Sequence, residues 1–275
     1  MLERVQRRER GRYGFDRLLR ATTLIFGPPK VGKTTFVATL GERVLLVETE
    51  PGGADYVEGV DVVEVHSLGD LKVLWKELSG LKEWKWEVVA IDTITQVSSW
   101  IEREVALEFG KPMLGGPSTA FGAEYAKHRA ELVALIKSFQ ILPCGLILVA
   151  HSKGEGGEKI TLNLPGRTTQ TEVMALASNV IYLGVDESGR REAVVAPSPV
   201  LEAGSRDRVL NALGRFPPDF RELERLYNEQ ARLMGLLEEE KMEEKAEGQG
   251  GGEADEEGKE KRVRARVKLD FGGGE

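Results

Sequence analysis

Short runs of consecutive apolar residues alternate with longer stretches whose apolar positions recur every three or four residues. The runs in "ATTLIF", "RVLLVET", "WEVVAIDT" and "CGLILVAHS" lack polar alternation, which predicts strands buried on both faces. "DVVEV" predicts a shorter strand of the same set. Between them, "KTTFVATLGE" predicts a helix stopped by Gly41, and "SLGDLKVLWKELSG" predicts one capped by Ser67 and closed by Gly80. Ile101, Val105 and Phe109 mark a further helix, and Leu132, Val133, Ile136 and Phe139 mark the face of a long one. "GKPMLGGPSTAFG" between these two predicts a flexible loop. Strands alternating with helices imply an α/β chain with a mostly parallel sheet and helices on both faces.

The texture changes after His151. "KGEGGEKITLNLPGR" predicts a glycine-rich loop, a polar strand and a turn, and "TTQTEVMALAS" predicts a helix. "NVIYLGVDESGRREAVVAPS" predicts a hairpin turning across Glu187–Arg190, an antiparallel extension of the parallel sheet. "FPPDFRELERLYNEQARLMGLLEEE" predicts a proline-started helix at the end of the folded body. Residues 1–20 form a basic N-terminal segment, 21–237 the folded domain, and 238–275 a tail.

Composition sharpens these boundaries. The net charge is −7, with 13 acidic against 8 basic residues from Glu238 onward, so the tail carries most of the excess. Acidic, glycine-rich and poor in large apolar residues, it is expected to be disordered up to about Glu260. Its end, "KRVRARVKLDF", alternates apolar and basic side chains, a pattern that suits strand addition to a partner. No apolar run reaches membrane length and the start lacks a signal-peptide core, so a cytoplasmic protein without a membrane partner is expected. The single cysteine, Cys144, excludes an intramolecular disulfide and reads as a core thiol.

The chemistry begins at "GPPKVGKTT". Gly27 to Thr34 matches the P-loop pattern GxxxxGK[ST], with a strand before it and a helix after it. Such a turn curls backbone N–H groups around phosphate, and bare glycines let the backbone approach. Gly27, Pro28, Pro29, Lys30, Val31, Gly32, Lys33, Thr34 and Thr35 are therefore the candidate nucleotide-binding residues, with ATP and Mg²⁺ as cofactors. Lys33 would bridge the β- and γ-phosphates, and Thr34 would offer its hydroxyl to the metal. Asp92, ending the apolar run "VVAID", is the second candidate metal residue. In "VLLVETEPGG" Glu50 is the first candidate for orienting the attacking water, with Glu48 second.

With these pieces placed, "GPPKVGKTT", "VETE", "VVAIDT", "LILVAHS" and the later "LNLPGR…SNVIYLG…SGRREAVV…GSRDR" resemble the RecA/RadA-type ATPase core over Thr22 to Tyr227. Among its members the compact phage ATPases of the Sak-type single-strand annealing group are the most similar. The resemblance implies a RecA-like P-loop NTPase fold and supports Glu50 as the catalytic glutamate. It implies that His151 senses the γ-phosphate and that Lys153, Lys159 and Arg167 contact single-stranded DNA from a mobile loop. It also implies that Arg206 and Arg208 reach a neighbouring subunit's nucleotide, from an extended segment that sets both on one side. Self-assembly into a ring or filament follows from that last role. Phe15 would then either insert into a neighbour or pack in the core. The tail would serve a single-strand-binding or replication protein. A different class of function, an ATP-gated loader or switch acting on a protein and not on DNA, fits the same P-loop. A small-molecule kinase fits less well, because no arginine-rich lid segment is apparent.

Overall fold

A computed structural model describes residues 13–114, 122–154 and 159–237. The expected tail, most of the N-terminal segment, residues 115–121 and residues 155–158 of the expected DNA loop lie outside the described residues.

The described chain runs α1 (Phe15–Leu19), β1 (Thr22–Gly27), α2 (Lys33–Ala38), β2 (Val44–Glu48), β3 (Asp61–Glu64), α3 (Leu68–Ser79), β4 (Val88–Asp92), α4 (Ile94–Glu108) and α5 (Ala123–Gln140). It continues with β5 (Gly145–Lys153), β6 (Thr161–Leu162), α6 (Arg167–Leu176), β7 (Asn179–Val185), β8 (Arg191–Val194), β9 (Gly204–Ser205), α7 (Arg208–Leu213), β10 (Arg215–Phe216) and α8 (Phe220–Leu233). The sheet order is β10-β8-β7-β1-β5-β4-β2-β3, with β6 paired to β5 and β9 to β7. From β7 to β3 every pairing is parallel, while β8 and β10 extend the sheet antiparallel. This is the expected α/β fold, a mostly parallel sheet with an antiparallel extension.

The unbroken apolar runs are explained by the two cores. Along β1, Leu24 and Phe26 enter one cluster and Ile25 the other; along β5, Leu146, Leu148 and Ala150 oppose Ile147 and Val149. Helices α3, α4, α5 and α6 close the first face, and α1, α2, α7 and α8 the second. Leu71, Ile101, Leu132 and Ile136 are at most 1 % exposed, and burying such a side chain is worth about 1.5–3 kcal/mol each. Ser67 caps α3 as expected, its Oγ accepting from Asp70 N at 3.1 Å.

The structure also departs from several expectations. Packing begins inside the segment expected to be a basic arm: Phe15, Leu18 and Leu19 are buried, and Phe15 meets the edge of Tyr227 at 6.0 Å. Phe15 therefore packs in its own subunit's core. A methyl group on Gly145 would stand 1.8 Å from the Leu19 carbonyl oxygen, so α1 is pressed against the start of β5. Five residues carry too little periodicity to announce such a helix. The final helix starts at Phe220, after both prolines, because the Asp219 carboxylate accepts from the N–H groups of Arg221 and Glu222. The "GSRDRV" segment is not extended throughout: Asp207 caps α7 in the same way, so Arg206 precedes the cap and Arg208 opens a helix. Burial pushes the Cys144 thiol up to about 11, which keeps it protonated and inert.

Phe36 ties the helix after the P-loop to the far end of the chain. Its ring is fully buried and stacks on Phe220 at 4.4 Å and 18°. Phe36→Ala is expected to cost about 3–5 kcal/mol of stability in urea unfolding followed by circular dichroism. A loss below about 1 kcal/mol would mean that the α2–α8 contact does not hold this region together.

Candidate nucleotide-binding and catalytic site

Four neighbouring strands end together. Gly27 at the end of β1 pairs with His151 of β5, Val149 of β5 with Asp92 of β4, and Asp92 with Glu48 of β2. The row at this edge is thus P-loop, His151, Asp92, then the 49–54 turn. Ligands of open α/β sheets gather at the carboxyl ends of the strands, and every catalytic candidate of the first 151 residues lies there.

The P-loop holds backbone that only its composition permits, with Gly32 at φ +100° and Lys30 at φ +64°. Lys33 opens α2 and is 5 % exposed. Its Nζ donates to the loop's own carbonyls, to Gly27 O at 3.1 Å and Pro28 O at 2.8 Å, and lies 3.3 Å from His151 Nδ1. Burial lowers its pKa, an effect the Asp92 and Glu50 charges oppose. The Thr34 hydroxyl donates to Asp92 Oδ2 at 2.6 Å, across the intervening end of β5. Asp92 is 8 % exposed, and burial raises its pKa against the Thr34 hydrogen bond and the Lys33 charge.

These residues fit a nucleoside triphosphate and Mg²⁺. The buried ammonium is satisfied only by carbonyls and an imidazole, weaker partners than phosphate oxygens. Thr34 and Asp92, hydrogen-bonded to each other, would hold the metal, and a divalent ion beside them would favour the charged carboxylate that burial disfavours. Among the described residues no group of three or more His, Cys, Asp or Glu side chains forms a metal cage. Two protein oxygens completed by phosphate and water is a usual Mg²⁺ arrangement.

Glu50 stands beyond Asp92. Its carboxylate accepts from the Thr93 hydroxyl at 2.6 Å and lies 3.1 Å from His151 Nε2. Since the Lys33 ammonium can only donate, His151 Nδ1 accepts, which puts the ring proton on Nε2, facing Glu50. A continuous run results: Lys33 to His151 to Glu50, with Thr93 donating to the same Glu50 Oε1 that His151 approaches. The His151 hydrogen bond is the largest influence on Glu50; with the Thr93 bond and the Lys33 charge it outweighs burial and lowers the pKa. Glu48 does something else. Its Oε1 accepts from Ala54 N at 2.9 Å, closing the turn that carries Glu50.

The remaining candidates fall elsewhere. Lys153 ends β5 and donates to Leu164 O at 3.3 Å. Lys159 and Arg167 both pair with Glu202, Lys159 at 2.7 Å and Arg167 through both its terminal nitrogens. Burial raises the Glu202 pKa, but hydrogen bonds from Arg167, Lys159 and Thr161 outweigh it and hold the carboxyl down to about 2. Arg206 and Arg208 lie at the opposite edge of the sheet: Ser205 pairs with Asn179, which pairs with Thr23 at the start of β1. Arg206 donates to Ala175 O at 2.9 Å. The structure does not bring these two arginines to the P-loop of their own subunit.

Several site residues escaped the sequence reading. Thr93 and Thr49 lock the Asp92 and Glu50 strand ends together, Thr49 Oγ1 accepting from Thr93 N at 2.6 Å, and Thr95 Oγ1 accepts from His151 N at 2.9 Å. The threonines of "DTIT" at a strand-to-helix junction were the available signal, since Thr93 also caps α4. Glu202 and Arg191, the latter lying against Gly32, had no local signal.

A family model described as an AAA domain matches residues 20–207, and no curated protein matches the chain. The chain belongs to the AAA-domain family and is a P-loop NTPase. Among its described residues no helix is long and apolar enough to cross a membrane.

The His151–Glu50 contact makes a pH prediction. Because hydrogen bonding from His151 lowers the Glu50 pKa, His151→Ala should raise it toward the ordinary carboxylate value. The charged form of Glu50 would then be lost at higher pH, shifting the acidic limb of the ATPase pH profile upward. An unmoved acidic limb in a folded variant would show that Glu50 is not the group titrating there.

Proposed function

We propose that this P-loop NTPase hydrolyses ATP with Mg²⁺ as a recombinase-like protein of the RecA/RadA type, close to the phage Sak-type annealing group, and acts on single-stranded DNA. The observation that carries the reading is the run from Lys33 through His151 to Glu50. It joins the phosphate-binding lysine to the candidate water-orienting carboxylate through a side chain of β5. Two residues further on, the same strand delivers Lys153 into the loop expected to meet DNA.

The residues divide the work as follows. Lys33 would exchange the Gly27 and Pro28 carbonyls for phosphate oxygens, which frees His151 Nδ1. Thr34 and Asp92 would hold Mg²⁺, whose role when bound is to neutralise charge on the phosphates. Glu50, charged and held by Thr93 and His151, would orient and deprotonate the attacking water. His151, hydrogen-bonded on both sides, would pass a change at the phosphates along β5 to Lys153. Lys153, Lys159 and Arg167 would bind the DNA backbone, and Arg206 and Arg208 would act on a neighbour's nucleotide in a ring or filament. The C-terminal tail would recruit a single-strand-binding or replication protein.

One observation favours the loader or switch reading instead: Glu202 already holds two of the three proposed DNA-binding cations. ATP turnover measured with and without single-stranded DNA separates the readings. Under the DNA reading, turnover rises with DNA, binding weakens steeply with salt, and Glu202→Gln tightens binding by releasing Lys159 and Arg167. Glu50→Gln should retain ATP binding and lose turnover by about 10²–10⁴-fold, while Lys33→Ala should nearly abolish hydrolysis. Absence of DNA binding at low salt in both wild type and Glu202→Gln would award the function to a protein partner.

A further inference from the structure

Arg191 is placed where the P-loop can use it. It opens β8 opposite Val185, the last residue of β7. Side chains alternate along a strand, and Ala193 and Val195 enter the same core cluster as Val31, Phe36 and Val37. Arg191, two residues before Ala193, therefore faces the P-loop side, and its guanidinium reaches the loop itself. A methyl group on Gly32 would stand 3.0 Å from Arg191 Nη1. The residue preceding Lys33 thus has a cation packed against it.

The charge is also uncommitted. The two other arginines of this part of the sheet have carboxylates: Arg190 lies 3.5 Å from Asp186, and Arg215 lies 2.7 Å from Glu192. Glu192, the acid next in sequence to Arg191, is thereby engaged. The Arg191 side chain has no hydrogen bond or ion pair among the described residues, and it is exposed. An exposed arginine resting on a phosphate-binding turn without a counter-ion is suited to an anionic ligand in that turn.

Sheet order decides which end of the ligand it meets. β8 lies two strands from β1 on one side, while Asp92 of β4 and Glu50 beyond β2 lie on the other. The metal and water-orienting groups mark the γ-phosphate end, so Arg191 approaches from the nucleoside end. We propose that Arg191 contacts the α- and β-phosphates of a nucleoside di- or triphosphate bound to its own subunit's P-loop. This rests on the nucleotide-binding reading given above, and it adds a ground-state contact, not a γ-phosphate one.

Isothermal titration with Mg·ADP and with a slowly hydrolysed ATP analogue, on the full chain, tests the proposal. Arg191→Ala should weaken both ligands by a similar factor, on the order of tenfold, with the loss appearing in KM for ATP. Arg191→Lys should recover part of it, because the charge stays while the guanidinium fork is lost. Both variants should melt like wild type without nucleotide, since the side chain is exposed and unpaired. Wild-type ADP affinity in Arg191→Ala, or a loss confined to the triphosphate, would overturn the proposal. Failure of the wild-type protein itself to bind ADP would instead overturn the nucleotide-binding reading, and Arg191 with it.

Discussion

The site depends on one crossover: the strand made latest of the four, β5, is seated between β1 and β4. Without it, the P-loop and Asp92 would be neighbours with no side chain between them. With it, His151 stands at the end of β5 beside Gly27, and Thr34 reaches past that strand to Asp92 at 2.6 Å. Parallel strands allow this because each returns through a helix, so spatial order is independent of chain order. Both faces must then be covered, which accounts for the unbroken apolar runs in β1, β4 and β5 and for the two separate cores.

Burial at that edge sets the electrostatics. Lys33 and Asp92 are both nearly inaccessible, and burial works against the charged form of each. The Asp92 and Glu50 charges offset part of this for Lys33, and the Thr34 hydrogen bond with the Lys33 charge offsets part of it for Asp92. Such an arrangement is stable but unsaturated: it is completed by a ligand carrying negative charge for the lysine and a cation for the carboxylate. Glu50 differs, being half-exposed and held charged by the His151 and Thr93 donors that converge on its Oε1. Neighbouring carboxylates with opposite pKa tendencies suit different tasks, metal binding for one and contact with water for the other.

How much of this could be read from residues alone follows from what each assignment needs. The P-loop needs only spacing and flanking periodicity, so it is legible, and the place of Asp92 at a strand end follows from the apolar run before it. Glu50 and Glu48 were harder to rank, because the choice turns on a loop closed by the Glu48–Ala54 bond, which has no composition signal. His151 was suggested only by family resemblance; its position follows from the β1–β5 register. Glu202 lies 35 residues from Arg167 and 43 from Lys159 in sequence, and Arg191 meets Gly32 only because β8 folds back on β7. The extended reading of "GSRDRV" failed because Asp207 offers its carboxylate to two backbone N–H groups, turning the chain into α7.

The position of Arg206 and Arg208 constrains any shared site. They stand at the amino-terminal edge of the parallel strands, whereas the P-loop stands at the carboxyl edge. β1 alone separates these edges by six residues, about 17 Å of strand. An arginine at one edge cannot serve the nucleotide at the other within a subunit. For it to serve a neighbour, the amino-terminal edge of one subunit must face the carboxyl edge of the next. That contact joins unlike surfaces, and a two-fold dimer makes it only when one patch contains both edges and the contact is reciprocal. Repeated, it closes a ring if the rotation allows and otherwise continues as a filament. A role for these arginines in trans therefore requires an assembly that brings unlike edges together, and Arg191, acting within its own subunit, is independent of it.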